Sequence, residues 1–154
     1  MKILFHITIA SILVTFGDVA GLGREQSMKN TFEIESWDEV PYLELENSAK
    51  YSRAKLSKRY AGAMNGNGQL EYLMAYNEKG AAHFVGIEHF EGEVDGKIGT
   101  LSVAHKGSFK KGVVTSTFEI IEGSQTGKLV SLNGQGSYTT GHSMIVDFEF
   151  DYAF

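Results

Sequence analysis

Ser143-Met144-Ile145-Val146-Asp147-Phe148-Glu149-Phe150-Asp151-Tyr152-Ala153-Phe154 is the stretch that decides the fold. Val146, Phe148, Phe150, Tyr152 and Phe154 fall on one parity, and Asp147, Glu149 and Asp151 on the other. A strand points successive side chains to opposite faces, so this segment has one apolar and one charged face. The same alternation recurs upstream between glycine-marked turns. It predicts strands near 31–37, 50–63, 68–77, 81–94, 97–109, 113–122, 128–139 and 144–154. Asn65-Gly66-Asn67-Gly68, Gly80, Asp95-Gly96, Lys110-Lys111-Gly112 and Gly141 mark the turns between them, and 38–49 reads as an irregular crossover. No run of ten or more residues has helical period. The expectation is an all-β domain, a single antiparallel meander barrel of about eight strands. Five apolar residues on a free edge would be a hazard, so the last strand is expected to pair with the first.

The chain has 154 residues, 42% apolar and 21% charged, enough for one domain with a real core. The net charge of −5 argues against nucleic-acid binding, which rests on Lys and Arg neutralising phosphates. With no cysteine, disulfides, thiolate chemistry and Cys-based zinc sites are excluded. At the N-terminus, Lys2 precedes the apolar run 3–16, and small residues follow to Gly23. That is the pattern of a secretory signal, and the run is shorter than the ~18 residues of a spanning helix. Residues 1–23 are expected to be a cleaved leader, 24–30 a linker and 31–154 the barrel domain. The mature chain is then secreted or periplasmic and free of the membrane; the alternative is a cytoplasmic chain. Nothing in the composition fixes the oligomeric state.

Register follows from the turns. Asp95-Gly96 suits a two-residue type I′ hairpin, which needs positive φ at both central residues. It pairs Phe90 with Leu101, Glu88 with Val103, Gly86 with His105 and Phe84 with Gly107. A three-residue turn at Asn65-Gly66-Asn67 sets Tyr60 opposite Tyr72, a longer turn at 77–81 sets Tyr72 opposite Gly86, and a bulged turn at 110–112 brings Ser116 beside His105. The result is an inward belt of Tyr60, Tyr72, Gly86, His105 and Ser116, with Glu88 diagonal to His105. A carboxylate beside an imidazole can set its tautomer and basicity, and phenols can donate to a developing oxyanion. Glu88 and His105 are therefore the candidate catalytic residues. Tyr60, Tyr72, Tyr76, Ser116 and Lys58 are the candidate ligand-binding residues, with Lys58 beside Met74 and Phe84, and Gly86 leaving room for a ligand atom. The bland alternative is that Glu88 and His105 satisfy each other in a filled core.

Other motifs fail on spacing or geometry. Ser52 and Lys55 match Ser-x-x-Lys by letter but face opposite sides of a strand. Gly123-Ser124-Gln125-Thr126-Gly127-Lys128 has its glycines too close for a phosphate loop and reads as a turn. His83 and His89 point outward, and no metal site is expected. Trp37 is expected to plug a barrel end.

Trp37-Asp38-Glu39-Val40-Pro41-Tyr42, Glu71-Tyr72-Leu73-Met74-Ala75-Tyr76, Phe84-Val85-Gly86-Ile87-Glu88 and His105-Lys106-Gly107-Ser108-Phe109 resemble a bacterial family, domain of unknown function 3224. So do Gly123–Gly127, Leu132–Gly136 and Asp151–Phe154. The resemblance covers nearly all of 30–154, with Gln125 standing where a glycine is associated with that turn. It implies a small barrel of the allene-oxide-cyclase-like type and carries no activity with it. The expected function is the binding of a small apolar molecule inside the barrel, without a cofactor. The alternatives are a cofactor-free isomerase or cyclase using Glu88 and His105, and a structural module with a filled core.

Overall fold

The computed structural model describes residues 29–154. The expected leader 1–23 and the linker up to residue 28 lie outside the described residues. Asn30, assigned to that linker, already opens the first strand. Eight strands follow in sequence order: β1 Asn30–Glu44, β2 Lys50–Ala61, β3 Met64–Tyr76, β4 Ala82–Val94, β5 Lys97–Lys110, β6 Val113–Ile120, β7 Asn133–Thr140 and β8 Ile145–Ala153. Each pairs antiparallel with its neighbours, and β8 closes on β1. The expected meander barrel is the fold, and the expected closure is its seam, with Asn30 opposite Phe148 and Phe32 opposite Val146. The Phe32 and Phe148 rings sit 6.0 Å apart across it.

The Asp95-Gly96 hairpin has the expected register throughout, from Val94 opposite Lys97 to Phe84 opposite Gly107. Asp95 and Gly96 both take the positive φ of a type I′ turn. Two other turns differ from expectation. The β2–β3 connection is at Gly62-Ala63, not Asn65-Gly66-Asn67, so Tyr60 faces Gly66 and Tyr72 faces Ala54. Gly66 and Gly68 belong to the interior of β3. A Cβ on Gly66 would come within 2.3 Å of the Glu91 carbonyl oxygen, so close strand approach, rather than a turn, demands glycine there. The β5–β6 turn is a tight two-residue one at Lys111-Gly112, both at positive φ. Ser116 therefore faces Gly107, and Phe118 takes the place beside His105.

β1 is also longer than expected. It continues through Pro41 to Glu44, with bulges between Ile34 and Ser36 and between Pro41 and Leu43. Only Asn30–Glu33 pair with β8, followed by a bond from the Ile34 N–H to the Met144 carbonyl at 2.9 Å. Past that point β1 has no second neighbour among the described residues, and proline is tolerated on such an edge because no ladder bond there needs its missing N–H.

The two ends of the barrel are filled differently. At the end bearing the 62–63 and 95–96 turns, the 121–132 connection folds across the opening. It contains a 3-10 turn, Gly127–Leu129, where the start of a strand at 128 was expected. Leu129 and Leu132 are fully buried and cap a cluster of Met64, Phe90, Val94, Leu101 and Val103. Each such side chain stabilises the fold by about 1.5–3 kcal/mol. Gly99 makes this closure possible, since a Cβ there would lie 2.1 Å from the Thr126 carbonyl oxygen. The Gln125 amide donates to the Leu132 carbonyl at 2.7 Å and ties the plug to itself. Among the described residues, the opposite end has only short turns and no plug.

Candidate ligand cavity and its buried polar floor

Glu88 is the centre of the interior polar cluster and is fully buried. It stands on β4 opposite Leu70 on one side and Val103 on the other, and its carboxylate reaches past β3 to β2. The path exists because residue 68 is glycine: a Cβ there would lie 2.0 Å from Glu88 Oε1. Lys58, directly opposite Gly68, donates from Nζ to Glu88 Oε2 at 3.2 Å. The Tyr60 hydroxyl donates to Oε1 at 2.6 Å, and His105 Nε2 meets Oε2 at 2.7 Å.

Burial alone would raise the Glu88 carboxyl. The Lys58 charge, the His105 hydrogen bond and the Tyr60 hydroxyl together override it and hold the group down to about 2. His105 moves below its ordinary value, chiefly because burial disfavours its charged form; the bond to Glu88 opposes this without reversing it. A neutral imidazole beside a carboxylate donates from Nε2, which leaves Nδ1 as a bare acceptor. His105 Nδ1 has no partner, the only such buried side-chain atom among the described residues. Burial and the Glu88 charge push the Tyr60 phenol well above its usual value.

Above this cluster a cavity of about 230 Å3 occupies the unplugged half of the barrel. Its wall is mostly Phe32, Ile34, Leu56, Met74, Phe84, Phe109, Val114 and Val146. Lys58, Tyr72, Tyr76, Tyr138 and Thr140 complete a lining that is overwhelmingly apolar, and the Tyr72 and Tyr138 hydroxyls are bonded to each other at 3.1 Å. Lys58 Nζ lies 4.4 Å from the Phe32 ring centre and 5.8 Å from that of Tyr138. At the mouth, Glu39 accepts from Ser52 Oγ at 2.6 Å, the Tyr76 hydroxyl at 2.8 Å and Trp37 Nε1 at 3.2 Å. Burial, then the bond to Glu39, raises the Tyr76 phenol. A larger groove of 1010 Å3 crosses the outer face of the sheet around Leu73, Val85 and Ile87; it is open to solvent, and of the cluster residues His105 alone is among those that line it.

The structure divides the expected site residues between two layers. Lys58, Tyr72 and Tyr76 line the cavity, and Lys58 shares it with Met74 and Phe84 although its cross-strand partners are Gly68 and Ile34. Tyr60, Glu88 and His105 meet one another beneath it and contribute nothing to its wall. Ser116 stands apart from both, its hydroxyl bonded to the Lys106 carbonyl at 3.3 Å. The room expected over Gly86 is filled by the Tyr72 ring, 2.4 Å from where a Cβ would be. Trp37 sits at the open end, 46% exposed, as a rim rather than a plug. Tyr138 and Glu39 escaped the sequence reading. Tyr138 shares inward parity with Gly134 and Gly136 and was findable; the β1 bulge inverts parity at Glu39 and hid it. Among the described residues, no three His, Asp or Glu side chains gather as a metal-binding group.

The architecture so assembled is a closed eight-stranded antiparallel barrel, plugged at one end, hollow at the other and divided by a buried ion pair. The chain belongs to the family described as Protein of unknown function (DUF3224), whose model matches residues 28–152. A solved structure from that family, a protein with unknown function from Shewanella oneidensis MR-1, is similar in fold. It has a TM-score of 0.66 at 24% identity, over 82% of this chain and 98% of that one. No curated protein matches the chain.

Proposed function

We propose that this barrel binds a small, mostly apolar molecule in the hollow half of its interior, without transforming it. The observation that carries this is the cavity itself. Small barrels of this strand number can fill completely with side chains. This one packs its plugged half to full burial yet keeps about 230 Å3 free under an unplugged mouth. An engineered cavity of about 150 Å3 takes up benzene, so the space suits a molecule of about nine non-hydrogen atoms. An apolar wall with a few placed polar groups is the usual make-up of a ligand pocket. The isomerase or cyclase alternative needs Glu88 and His105 to touch the ligand, and neither reaches the cavity wall. Catalysis requires contact or one bridging water between base and proton.

Native mass spectrometry of protein purified from its own host tests the reading. A bound small-molecule mass is expected, and it should disappear in Val114→Phe, which fills the cavity from its wall. A host-derived protein that carries no adduct, together with a Val114→Phe variant that is merely more stable, would mark the space as an ordinary void.

A further inference from the structure

Resting on that reading, we infer that the ligand is a neutral molecule with a hydrogen-bond acceptor at its inner end, a carbonyl compound in chemical class, seated on Lys58 and the Tyr72–Tyr138 pair. Donors and charges at the cavity floor set the class. The Lys58 ammonium has three N–H groups. One is directed to Glu88, and Nζ lies among the Phe32 and Tyr138 rings of the cavity wall, which leaves its other N–H groups without an oxygen or nitrogen acceptor. Of the two tyrosine hydroxyls, whichever donates to its partner, the other keeps a hydrogen with no acceptor. The floor thus offers spare donors from two sources. Its carboxylate is spoken for: Glu88 is taken by three donors and lies outside the cavity wall, so the acceptors left to the floor are neutral hydroxyl oxygens.

Charge narrows the class further. Lys58 and Glu88 form a neutral pair at 3.2 Å. An incoming carboxylate would leave that buried layer with a net negative charge, which a dry site disfavours. An incoming protonated amine would bring a second positive charge beside the Lys58 ammonium, with only neutral hydroxyl oxygens to meet it. A neutral carbonyl oxygen accepts from the spare donors and adds no charge. Its apolar remainder then extends along Ile34, Met74 and Val114 toward Trp37 at the mouth.

Four aromatic probes of equal size, about nine non-hydrogen atoms each, decide it: acetophenone, cumene, benzoate and 1-phenylethylamine. Binding is read by titration calorimetry and by the indole N–H resonance of Trp37, the only tryptophan of the chain. Acetophenone is expected to bind about tenfold or more tighter than cumene, the usual worth of a hydrogen bond to a charged donor. Benzoate and the amine are expected to bind more weakly than the ketone. The double change Lys58→Met with Glu88→Gln, which keeps the interior neutral, should bind cumene as before and lose most of the preference for acetophenone. If cumene matches acetophenone in the unaltered protein, the acceptor-headed class is wrong while the cavity remains a binding site. If benzoate binds best, the charge argument is wrong. If none of the four binds, the proposed function itself fails.

Discussion

Lys58→Met is the sharpest perturbation of the interior, because it removes the only cation that, among the described residues, is paired with a fully buried carboxylate. The magnitude can be reached by two routes. A carboxyl held at about 2, against an ordinary 4.5, makes the folded state roughly 3 kcal/mol more stable at neutral pH than an unperturbed group would. Breaking a buried pair by deleting one partner costs about 3–5 kcal/mol in other proteins, since the survivor is left as an uncompensated charge. Lys58 and Glu88 are 1% and 0% exposed, so solvent screening does little to reduce either figure. A loss near 3 kcal/mol is therefore expected from Lys58→Met, and a similar one from Glu88→Met, which strands the ammonium. The double variant should recover much of that loss but stay below the unaltered protein, because the Tyr60 hydroxyl and the His105 N–H lose their acceptor. Urea unfolding of all four forms at pH 7 measures this, read at the midpoint with the slope checked for constancy. A single Lys58→Met variant within about 1 kcal/mol of the original would refute the description of Glu88 as a dry, ionised carboxylate.

Acid should destabilise the protein in two stages. His105 and Glu88 both lie below their ordinary values of 6.5 and 4.5, so the unfolded chain binds more protons at each. Stability is then lost as pH falls below about 6.5, and again between 4.5 and about 2; urea midpoints at pH 7, 5 and 3 should decline in that order, and a flat series would contradict the burial of both groups. Gly68→Ala should cost at least about 2 kcal/mol despite the strand's tolerance of alanine, because the new methyl occupies the path of the Glu88 carboxylate; a neutral thermal shift would place that carboxylate elsewhere. At the seam, Phe148→Ala should cost about 3–5 kcal/mol and Phe150→Ala less, since the first ring is buried and the second half-buried; the reverse order in denaturant unfolding would contradict the β1–β8 closure.

Parity was the legible part of this chain. It placed Lys58, Tyr60, Tyr72, Glu88, His105 and Ser116 on the inner face because the alternation of a strand is local and survives any slip of two residues. Register was legible only where a turn announced itself. Asp95-Gly96 did, and its pairings hold. Lys111 takes a positive φ that nothing in its side chain advertises, so Ser116 was set two residues from its true partner. The glycines of 66 and 68 misled in the opposite sense. They look like a turn, but they are gaps in the inner face of β3, one for the neighbouring backbone and one for the Glu88 side chain. A missing side chain has no pattern until the residue that fills its place is known. The bulge in β1 erased the parity of Glu39 and Trp37, which is why the mouth of the cavity could not be read.

Lys58 is the one side chain that belongs to both layers, and this bears on why a buried ion pair stands in a barrel that could do without it. Apolar residues of similar volume at 58, 60, 88 and 105 together would leave the fold as stable or more so, as exchanges of whole buried charge networks for packed hydrophobes have done elsewhere. Stability alone is therefore a poor account of the cluster. Glu88 needs Gly68 to reach Lys58, and Tyr60 and His105 to satisfy its remaining lone pairs, so four positions are committed to holding one ammonium. What the arrangement secures is orientation. With Nζ drawn to Glu88 at one side, its other N–H groups are turned among the rings of the cavity floor instead of snorkelling to solvent. A double variant at 58 and 88 that keeps most of the original stability but no longer distinguishes a ketone from a hydrocarbon would separate the two roles. Stability largely kept with lost discrimination would assign the pair to recognition, and lost stability with discrimination intact would assign it to the fold.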